Sequence, residues 1–239
     1  MPFIILLVAF IILLSILKTP RFRGWLGEFK VKSIIGKSIP SEKYVINDLR
    51  LRLDDNKTAQ IDHVVINTNG VFVIETKNYS GRIYGKESQL EWTQVLNYGK
   101  VKNKLYNPVK QNMTHLYHIS NLLPETTPLH SAVVFVKGNT NYIDANGVYT
   151  LKGLKRALTR NNGTILFPEE IDEIYRILSN ANDSSVSNRE HVKNIRKMKK
   201  GISNNICPRC NKNLVVRHGA NGDFMGCEGY PNCKFTKKI

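Results

Sequence analysis

The stretch Gln60–Lys77, QIDHVVINTNGVFVIETK, decides the fold of this chain. It reads as two apolar strands, Ile61–Ile66 and Val71–Ile74, around Asn69-Gly70, a dipeptide that strongly favours a tight hairpin turn. Both faces of the pair carry β-branched or aromatic residues, which is typical of strands at the centre of a sheet. Three charged residues interrupt this apolar pattern: Asp62, Glu75 and Lys77.

The three charges share one face of the predicted hairpin. A two-residue loop at Asn69-Gly70 places Asp62 opposite Lys77, whereas a four-residue loop places it opposite Glu75, and directly paired side chains lie on one face. The other face is expected to carry Ile61, Val65, Phe72 and Ile74. The two carboxylates and the lysine therefore converge with either loop.

This charged cluster predicts a metal-dependent site. Burying two anions and one cation costs several kcal/mol per ion unless the charges are paired or bind a metal. Two carboxylates at this separation suit a hard divalent cation, Mg²⁺ or Mn²⁺. Lys77 would then neutralise charge that develops on a phosphate, or orient the attacking water. The alternative is a salt bridge at the end of a half-exposed hairpin.

The same residues resemble a known family. Asp62 and Glu75-Thr76-Lys77 are similar to the PD-(D/E)XK nuclease signature. A longer pattern resembles the nuclease-related (NERD) domain and comprises Gly27-Glu28, Gln60–His63, Gly70–Lys77, Gly81, Asn107-Pro108 and Gln111. The resemblance spans residues 24–136 and implies a restriction-endonuclease-like α/β core, with a central mixed sheet flanked by helices, that acts on DNA.

Two further residues acquire a role from this resemblance. Glu28, in a helix expected over Gly24–Lys37, is implied to lie beside the active site and to bind the metal's water shell or a second ion. Gln111, in the first turn of a helix expected over Val109–Leu123, is implied to contact the nucleotide or the metal-bound water. From the residues alone, the alternatives are a glutamate that complements the helix dipole and a solvated glutamine.

The rest of the domain, residues 24–180, is expected to alternate strands and helices. Strands are predicted at Tyr44–Leu53, Arg82–Gly85 and His130–Val136, with an edge-like segment starting at Trp92, and Val148–Leu151 is the next segment. Helices are predicted at Lys152–Arg160 and Pro168–Leu178, and the first helix is expected to bury Trp25, Phe29 and Ile35. His115 and His118 are three apart, but no further ligand follows at metal-binding spacing.

Composition points to a polyanionic partner. The 239 residues carry 35 Lys and Arg against 19 Asp and Glu, a formal net charge of +16. This charge favours nucleic acid first and anionic lipid second. The four cysteines all follow residue 206 in paired spacing, which indicates a metal site in a reducing compartment rather than disulfides.

The chain begins with an apolar segment, Phe3–Leu17, which with Met1 and Pro2 reaches about the lower limit for crossing a bilayer. No basic residue precedes this segment, and Lys18, Arg21 and Arg23 follow it. We therefore expect residues 1–23 to form an uncleaved single-pass membrane anchor. The positive-inside rule then places the N-terminus outside the cell membrane and the domains in the cytoplasm.

The last two segments are a basic linker, residues 181–205, and a cysteine-rich tail, residues 206–239. The linker is expected to lie along phosphates or merely to keep the chain soluble. In the tail, four thiolates in two knuckles suit a tetrahedral structural zinc ion: Cys207, Cys210, Cys227 and Cys233.

The tail also resembles a known module. Phe224–Cys227 and Tyr230–Cys233 are similar to the C-terminal four-cysteine zinc finger of bacterial type I topoisomerases, which implies contact with single-stranded DNA. Charge and stacking faces for such contact are present in Arg209, Arg217, His218, Phe224, Tyr230, Lys234, Phe235, Lys237 and Lys238. A structural or protein-binding zinc ribbon is the alternative, and the chain has no room for a topoisomerase catalytic domain.

Together these features predict a membrane-anchored DNA-binding protein with an endonuclease-like core and a zinc ribbon. Phosphodiester hydrolysis would use Asp62 and Glu75 for the metal and Lys77 for the water, assisted by Glu28 and Gln111. The rival interpretation is a DNA-binding or scaffold protein whose nuclease fold no longer cuts, or a topoisomerase-related accessory protein.

Overall fold

The computed structural model describes residues 15, 17, 19–53, 58–160, 166–183, 185, 197, 200–219 and 222–239. Most of the expected membrane anchor and most of the expected basic linker lie outside these residues. Within the described ranges, no helix is both long and apolar enough to cross a bilayer.

Four helices and twelve strands are described below by the following bounds. They are α1 (Pro20–Ile35), β1 (Lys43–Arg52), β2 (Thr58–Asn67), β3 (Gly70–Lys77), β4 (Arg82–Lys86), β5 (Glu91–Leu96), β6 (Val101–Tyr106), α2 (Pro108–Ser120), β7 (Leu129–Phe135), β8 (Tyr142–Asp144), β9 (Val148–Thr150), α3 (Leu151–Thr159), α4 (Pro168–Asn180), β10 (Leu214–Gly219), β11 (Gly222–Cys227) and β12 (Thr236–Lys238).

A five-stranded mixed sheet in the order β1-β2-β3-β7-β9 forms the centre of the first domain. The first three strands are antiparallel, and β7 and β9 add to β3 in parallel. One face packs against α2 and α4 through Val64, Val73 and Ile171, and the other packs against α1 and α3 through Phe72 and Val134. This layered arrangement confirms the predicted α/β fold with a mixed sheet.

The hairpin turn lies one residue earlier than Asn69-Gly70. Asn67 pairs with Gly70 and Val65 pairs with Phe72, so the loop is Thr68-Asn69. Gly70, at φ 119°, lies so close to the carbonyl oxygen of Pro128 that a Cβ would approach it to 2.5 Å. Continuing this register places Asp62 opposite Glu75, the pairing that the sequence assigns to a four-residue loop.

The side chains of β1 and β2 switch from one face of the sheet to the other at Asp48 and Asp62, which was not expected. Asp48 has φ 56°, a left-handed conformation that interrupts the alternation of side chains. Asn47 pairs with His63 and Leu49 pairs with Ile61, so Asp48 lies across from Asp62. Ile61 therefore packs with Val64 and not, as predicted, with Val65, Phe72 and Ile74.

A second sheet, ordered β6-β5-β4-β8, is inserted after β3. The prediction that Trp92 starts an edge-like segment is wrong, because β5 lies between β6 and β4 and Trp92 is 0% exposed. Its ring fits over Gly85, where a Cβ would lie 2.2 Å from the indole. Trp92 packs with Ile83 and Phe135 in a core that joins the two sheets.

The buried face of α1 also differs from the prediction. Trp25 and Phe29 are each 57% exposed, whereas Gly27, Val31 and Ile35 are buried. The reason is close approach: a Cβ at Gly27 would lie 2.8 Å from Cβ of Asn78, so the glycine side is the one that fits against the end of β3. The large aromatic side chains consequently point away from the sheet.

The cysteine-rich tail forms a three-stranded sheet in the order β10-β11-β12, as expected for a zinc ribbon. Its small core comprises Cys207, Leu214, Met225, Cys227, Cys233 and Phe235. The ribbon contacts the first domain where Lys110 Nζ of α2 donates to the carbonyl oxygen of Thr236 at 3.0 Å.

Candidate active site and zinc module

Glu75 and Lys77 at the end of β3 meet Gln111 of α2 in a closed triangle of hydrogen bonds. Lys77 Nζ donates to Glu75 Oε1 at 2.5 Å and to Gln111 Oε1 at 3.1 Å. Gln111 Nε2 donates to the same Glu75 oxygen at 2.9 Å. The side chains of Lys77 and Glu75 are only 14% and 5% exposed, so this ion pair is a buried one.

Asparagines on α2 hold Gln111 in this position. Asn107 caps the helix, since its Oδ1 accepts from the backbone N–H groups of Val109 and Lys110. One turn on, Asn112 Nδ2 donates to the carbonyl oxygen of Val73 at 2.8 Å and ties the helix to β3. Gln111 therefore faces the carboxylate and is not the solvated side chain that the residues alone allowed.

Asp62 lies across the hairpin from Glu75 and behaves differently. Its Oδ2 accepts a hydrogen bond from the backbone N–H of Thr76 at 2.7 Å. Burial and the neighbouring Glu75 charge nevertheless raise the pKa of Asp62 well above its usual range. Uncompensated negative charge therefore remains at Asp62 when both carboxylates are ionised.

Glu75 itself is held as an anion. Burial alone would raise the pKa of Glu75, but the Lys77 ammonium and His115 outweigh burial and lower it to about 2. Lys77 shows the matching effect, since burial opposes its charge and Glu75 more than offsets that, which raises the pKa of Lys77. The pair is thus ionised throughout the neutral pH range.

Glu28 of α1 is half-buried on the same side of the molecule. Burial raises the pKa of Glu28, Lys32 opposes this, and the charges of Asp48 and Glu75 raise it further. Glu28 therefore lies within the electrostatic field of the hairpin carboxylate, brought there by the close packing of Gly27 against Asn78. Of the five side chains that the sequence nominates, hydrogen bonds join Glu75, Lys77 and Gln111, Asp62 lies across from Glu75, and Glu28 is linked to them only through charge.

His115 was missed as a member of this group. It follows Gln111 by four residues, so both occupy one face of α2, and this spacing is a signal that the sequence carries. Its Nε2 lies 3.5 Å from Glu75 Oε2, and neither ring nitrogen has a hydrogen-bond partner of good geometry among the described residues. His115 thus adds a buried titratable group on the second oxygen of Glu75.

His63, next to Asp62, belongs to the family-like motif, but the sequence predicts no role for it. It is 0% exposed, and its Nδ1 lies 2.7 Å from Asn47 Oδ1. Burial and the Lys32 charge lower the pKa of His63 to about 4, so the ring is neutral near pH 7. Its Nε2 is buried without a hydrogen-bond partner in the described part of the chain.

The four cysteine sulfurs of the ribbon form a compact donor set. All lie within 4.8 Å of one another, and the Cys207–Cys233 and Cys210–Cys227 sulfur distances are 3.6 and 3.2 Å. Tetrahedral zinc with bonds of about 2.3 Å requires sulfurs roughly 3.8 Å apart. Gly229 N–H donates to the Cys227 sulfur at 3.3 Å, as thiolate ligands require. The donor set fits a structural zinc ion, and no other group of three or more such ligands is found in the described ranges.

The ribbon surface offers fewer aromatic faces than expected. Tyr230 is 62% exposed, with the Arg217 guanidinium 5.7 Å from its ring centroid. Phe235, in contrast, is 1% exposed because it fills the ribbon core beside the cysteines, so it is not a stacking face. The exposed ring and its arginine are the elements that suit contact with bases and phosphates.

Comparison with protein families finds two matches in this chain. The nuclease-related domain family matches residues 23–136, which include the hairpin, α1 and Gln111. The topoisomerase DNA-binding C4 zinc finger matches residues 204–239. No solved structure matches the chain significantly.

Individual relatives match either most of this chain or a short stretch of it. An uncharacterized protein of Bacillus anthracis is 32% identical over 80% of this chain and 92% of its own length. An uncharacterized protein of Methanocaldococcus jannaschii is 25% identical over 84% of this chain and 66% of its own length. DNA topoisomerase 1 of M. jannaschii is 52% identical over 34 residues, only 4% of that enzyme. The likeness to this topoisomerase is thus about as long as the ribbon.

Proposed function

Since the chain belongs to the nuclease-related domain family, we propose that it is a divalent-metal-dependent DNA endonuclease whose zinc ribbon helps to bind the substrate. The observation that carries this proposal is the position of Asp62 across from the Glu75–Lys77–Gln111 triangle. A buried cation fixed beside two carboxylates is what stabilisation of an attacked phosphate requires. The restriction-endonuclease-like interpretation of the mixed sheet belongs to the same proposal.

The residues fit a hard divalent cation. Oxygen donors are the ligands that Mg²⁺ and Mn²⁺ prefer. Burial first and the Glu75 charge second raise the pKa of Asp62, and a bound cation would relieve the repulsion between the two carboxylates. Asp62 and Glu75 would hold the metal, with Glu28 acting on its water shell. The metal would supply polarisation of the phosphate and of a bound water.

The protein's own side chains would position the reacting groups and stabilise the charge that develops on the phosphate. Lys77 would donate from Nζ to the phosphate oxygen on which charge accumulates, or to the attacking water. Gln111 would fix the direction of Lys77 through its Oε1 and of Glu75 through its Nε2. His115 would lie beside the second oxygen of Glu75, 3.5 Å from it. Because these contacts exist before substrate binds, little reorganisation is needed during the reaction.

We propose further that the ribbon prefers single-stranded DNA. The exposed Tyr230 ring and the nearby Arg217 support this, since stacking and charge together suit bases that are not paired. The charge of +16 over the whole chain adds a salt-dependent attraction for any nucleic acid.

Membrane anchoring through residues 1–23 is likewise a proposal. Trp25 and Phe29 are exposed on α1 and form an aromatic row with the half-buried Phe22, with ring centroids 5.6 and 5.7 Å apart. Aromatic residues beside basic ones are typical of the membrane interface, and this row directly follows the apolar segment. Protease protection in intact cells tests the orientation, because a C-terminus accessible from outside would contradict cytoplasmic domains.

Cleavage of plasmid and single-stranded DNA by the full-length protein with Mg²⁺ or Mn²⁺ tests the activity. We expect cleavage that needs the metal and is abolished in Glu75→Gln. A matched control is Glu173→Gln, which removes a carboxylate from an exposed ion pair with Arg176 on α4. Cutting that persists in Glu75→Gln, or no cutting by the parent with either metal, would overturn the proposal.

A non-cutting DNA-binding protein is the second candidate. It is favoured by the closed triangle, because Glu75 Oε1 already accepts from both Lys77 and Gln111. Binding of a metal at that oxygen would then compete with one of these donors. DNA binding by the parent without cleavage under any of the metals would support this second function.

A further inference from the structure

The outward face of the second sheet carries a surface that the proposed site does not use. Cross-strand pairing aligns Lys102, Val95 and Arg82 in one row. A second row comprises Lys104, Thr93, Tyr84 and Tyr142. Directly paired residues share a face, and the opposite face is buried through Ile83 and Trp92. These two rows are called the basic-aromatic face.

The aromatic part of this face is exposed and ordered. Tyr84 and Tyr142 are 37% and 49% exposed, and their rings stack with centroids 4.7 Å apart. The Arg82 guanidinium lies 5.9 Å from the Tyr142 ring centroid. On the neighbouring strands, Lys104 Nζ donates to Thr93 Oγ1 at 3.2 Å. The face thus presents flat rings beside cations, and it does not bury them.

A groove of about 1120 Å³ runs along these rows to the tip of the β5–β6 hairpin. At that tip Tyr98 adopts φ 55°, a left-handed conformation that is unfavourable for a bulky side chain. Its ring is fully exposed, so no burial compensates for the strain. Backbone strain of this kind is concentrated at functional sites.

The two rows of the basic-aromatic face carry charge of one sign. Its two rows contain three cations, Arg82, Lys102 and Lys104, and no carboxylate. Glu91 and Asp144 lie on the same outward face but beyond the two rows, where Glu91 pairs with Tyr106 and Asp144 lies 4.0 Å from Lys86. A ligand for the rows must therefore be anionic and must also offer flat apolar surfaces.

We propose that the basic-aromatic face binds single-stranded DNA, with bases stacked on its tyrosines and phosphates near its lysines and arginine. Unpaired bases expose the rings that stacking needs, whereas a duplex presents mainly phosphates. The inference rests on the proposed function, because the bound strand is the substrate of the hairpin site.

Short chain connections link the face to both other elements that are proposed to bind DNA. Arg82 follows Lys77 by five residues, so at full extension the two are at most about 18 Å apart. At the other end, β6 leads into α2, whose Lys110 contacts the ribbon at Thr236. A strand on the face therefore has the ribbon and the hairpin site as its neighbours.

Equilibrium binding of a fluorescently labelled oligo-dT to the full-length protein, without added divalent metal, tests this inference. Lys102→Gln/Lys104→Gln should reduce the slope of log affinity against log salt by about 1.4, as expected for two lost phosphate contacts. Tyr84→Leu/Tyr142→Leu, which keeps apolar bulk, should weaken binding at least tenfold. The matched control is Lys152→Gln/Lys155→Gln, which removes two exposed lysines from α3.

The results separate this inference from the proposed function. Face variants that keep their zinc content and melting temperature but bind as the control does would overturn the inference, whatever the cleavage assay shows. Tighter binding of a duplex of equal length through the same lysines would overturn the single-strand assignment. A parent that binds through the face but never cuts would leave the face in place and refute only the endonuclease.

Discussion

Asp62 and Glu75 lie opposite each other on β2 and β3, and their pKa values are shifted in opposite directions. Glu75 accepts from Lys77 and Gln111, whereas Asp62 accepts from one backbone N–H. Burial raises the pKa of Asp62, and Lys77 and His115 overcome burial to lower that of Glu75. Two facing carboxylates thus differ in how well the fold tolerates their charge.

Asp62→Asn should therefore stabilise the metal-free protein while abolishing cleavage. At neutral pH the ionised Asp62 is unfavourable in the folded state, and asparagine keeps an acceptor for Thr76 N–H without the charge. We expect a melting temperature a few degrees above that of the parent, measured by calorimetry. Glu75→Gln is the comparison variant and should melt lower, because it leaves Lys77 buried without its anion. A lower melting temperature for Asp62→Asn would contradict the assignment of its raised pKa.

Lys77→Ala should depress turnover far more than substrate affinity. The phosphate gathers charge mainly in the transition state, so losing a preorganised cation costs about 2–4 kcal/mol there, or roughly 30- to 1000-fold in kcat. Kd for DNA, measured without divalent metal, should change less than threefold. Lys155→Ala, an exposed lysine on α3, controls for the loss of charge. Equal losses in kcat and in DNA affinity would assign Lys77 to binding alone.

His63 should make the protein acid-sensitive between pH 6.5 and about 4. Burial, with the Lys32 charge, lowers the pKa of His63 from 6.5 to about 4. The unfolded chain then binds more protons than the folded chain in this window. Stability is complete above pH 6.5 and is lost as the pH falls to about 4, by on the order of 3 kcal/mol.

Urea unfolding of the parent and of His63→Gln at several pH values measures this contribution. The glutamine variant should lose less stability than the parent between pH 6.5 and 4.5. That range stays above the window in which Glu75, whose pKa is lowered to about 2, gives up its own contribution. Parallel pH curves for the two proteins would refute the role of His63.

Gly27→Ala and Gly24→Ala should have opposite effects although both lie in α1. A Cβ at Gly27 would meet Cβ of Asn78 at 2.8 Å, so alanine should cost about 1–3 kcal/mol and displace Glu28 from the site. Gly24 has nothing within 4 Å, so alanine there should stabilise by about 0.5–1 kcal/mol through helix propensity. Thermal melts and cleavage rates of both variants check this, and similar behaviour of the two would contradict the close packing.

Removal of zinc should unfold the ribbon and leave the first domain folded. The ribbon has its own small core, built largely from the cysteines, so Cys227→Ser should lower the zinc content from about one per chain and broaden its melt. The α/β domain has separate cores and should melt near the parental temperature. Loss of both transitions together would show that the ribbon supports the fold of the whole chain.

Much of the site is predictable because its chemistry is local in sequence. Glu75 and Lys77 share a face of one strand, and the hairpin brings Asp62 beside them with any tight turn. The register of the hairpin is harder to predict from the sequence. The turn lies at Thr68-Asn69, where Gly70 fits closely against Pro128, and that contact joins residues distant in sequence.

Other misses have equally specific causes. Periodicity identifies an apolar stripe on α1 through Trp25 and Phe29, but steric fit buries the side with Gly27. Strand β6, VKNKLY, is not recognisable from the sequence. Its first four residues are exposed, so it lacks the alternation of apolar and polar residues. The change of face at Asp48 depends on a left-handed backbone that no residue pattern indicates.

The packing of Gly27 against Asn78 has a geometrical consequence for where the protein works. Along α1, Glu28 lies only about 12 Å from the first residue of the helix, given a rise of 1.5 Å per residue. With the proposed anchor in the bilayer, a rigid helix and not a flexible tether sets the height of the hairpin site above the lipid headgroups. Only DNA held within that thin layer would be within reach of the site. Distance from the membrane, and not DNA sequence, would then select the substrate.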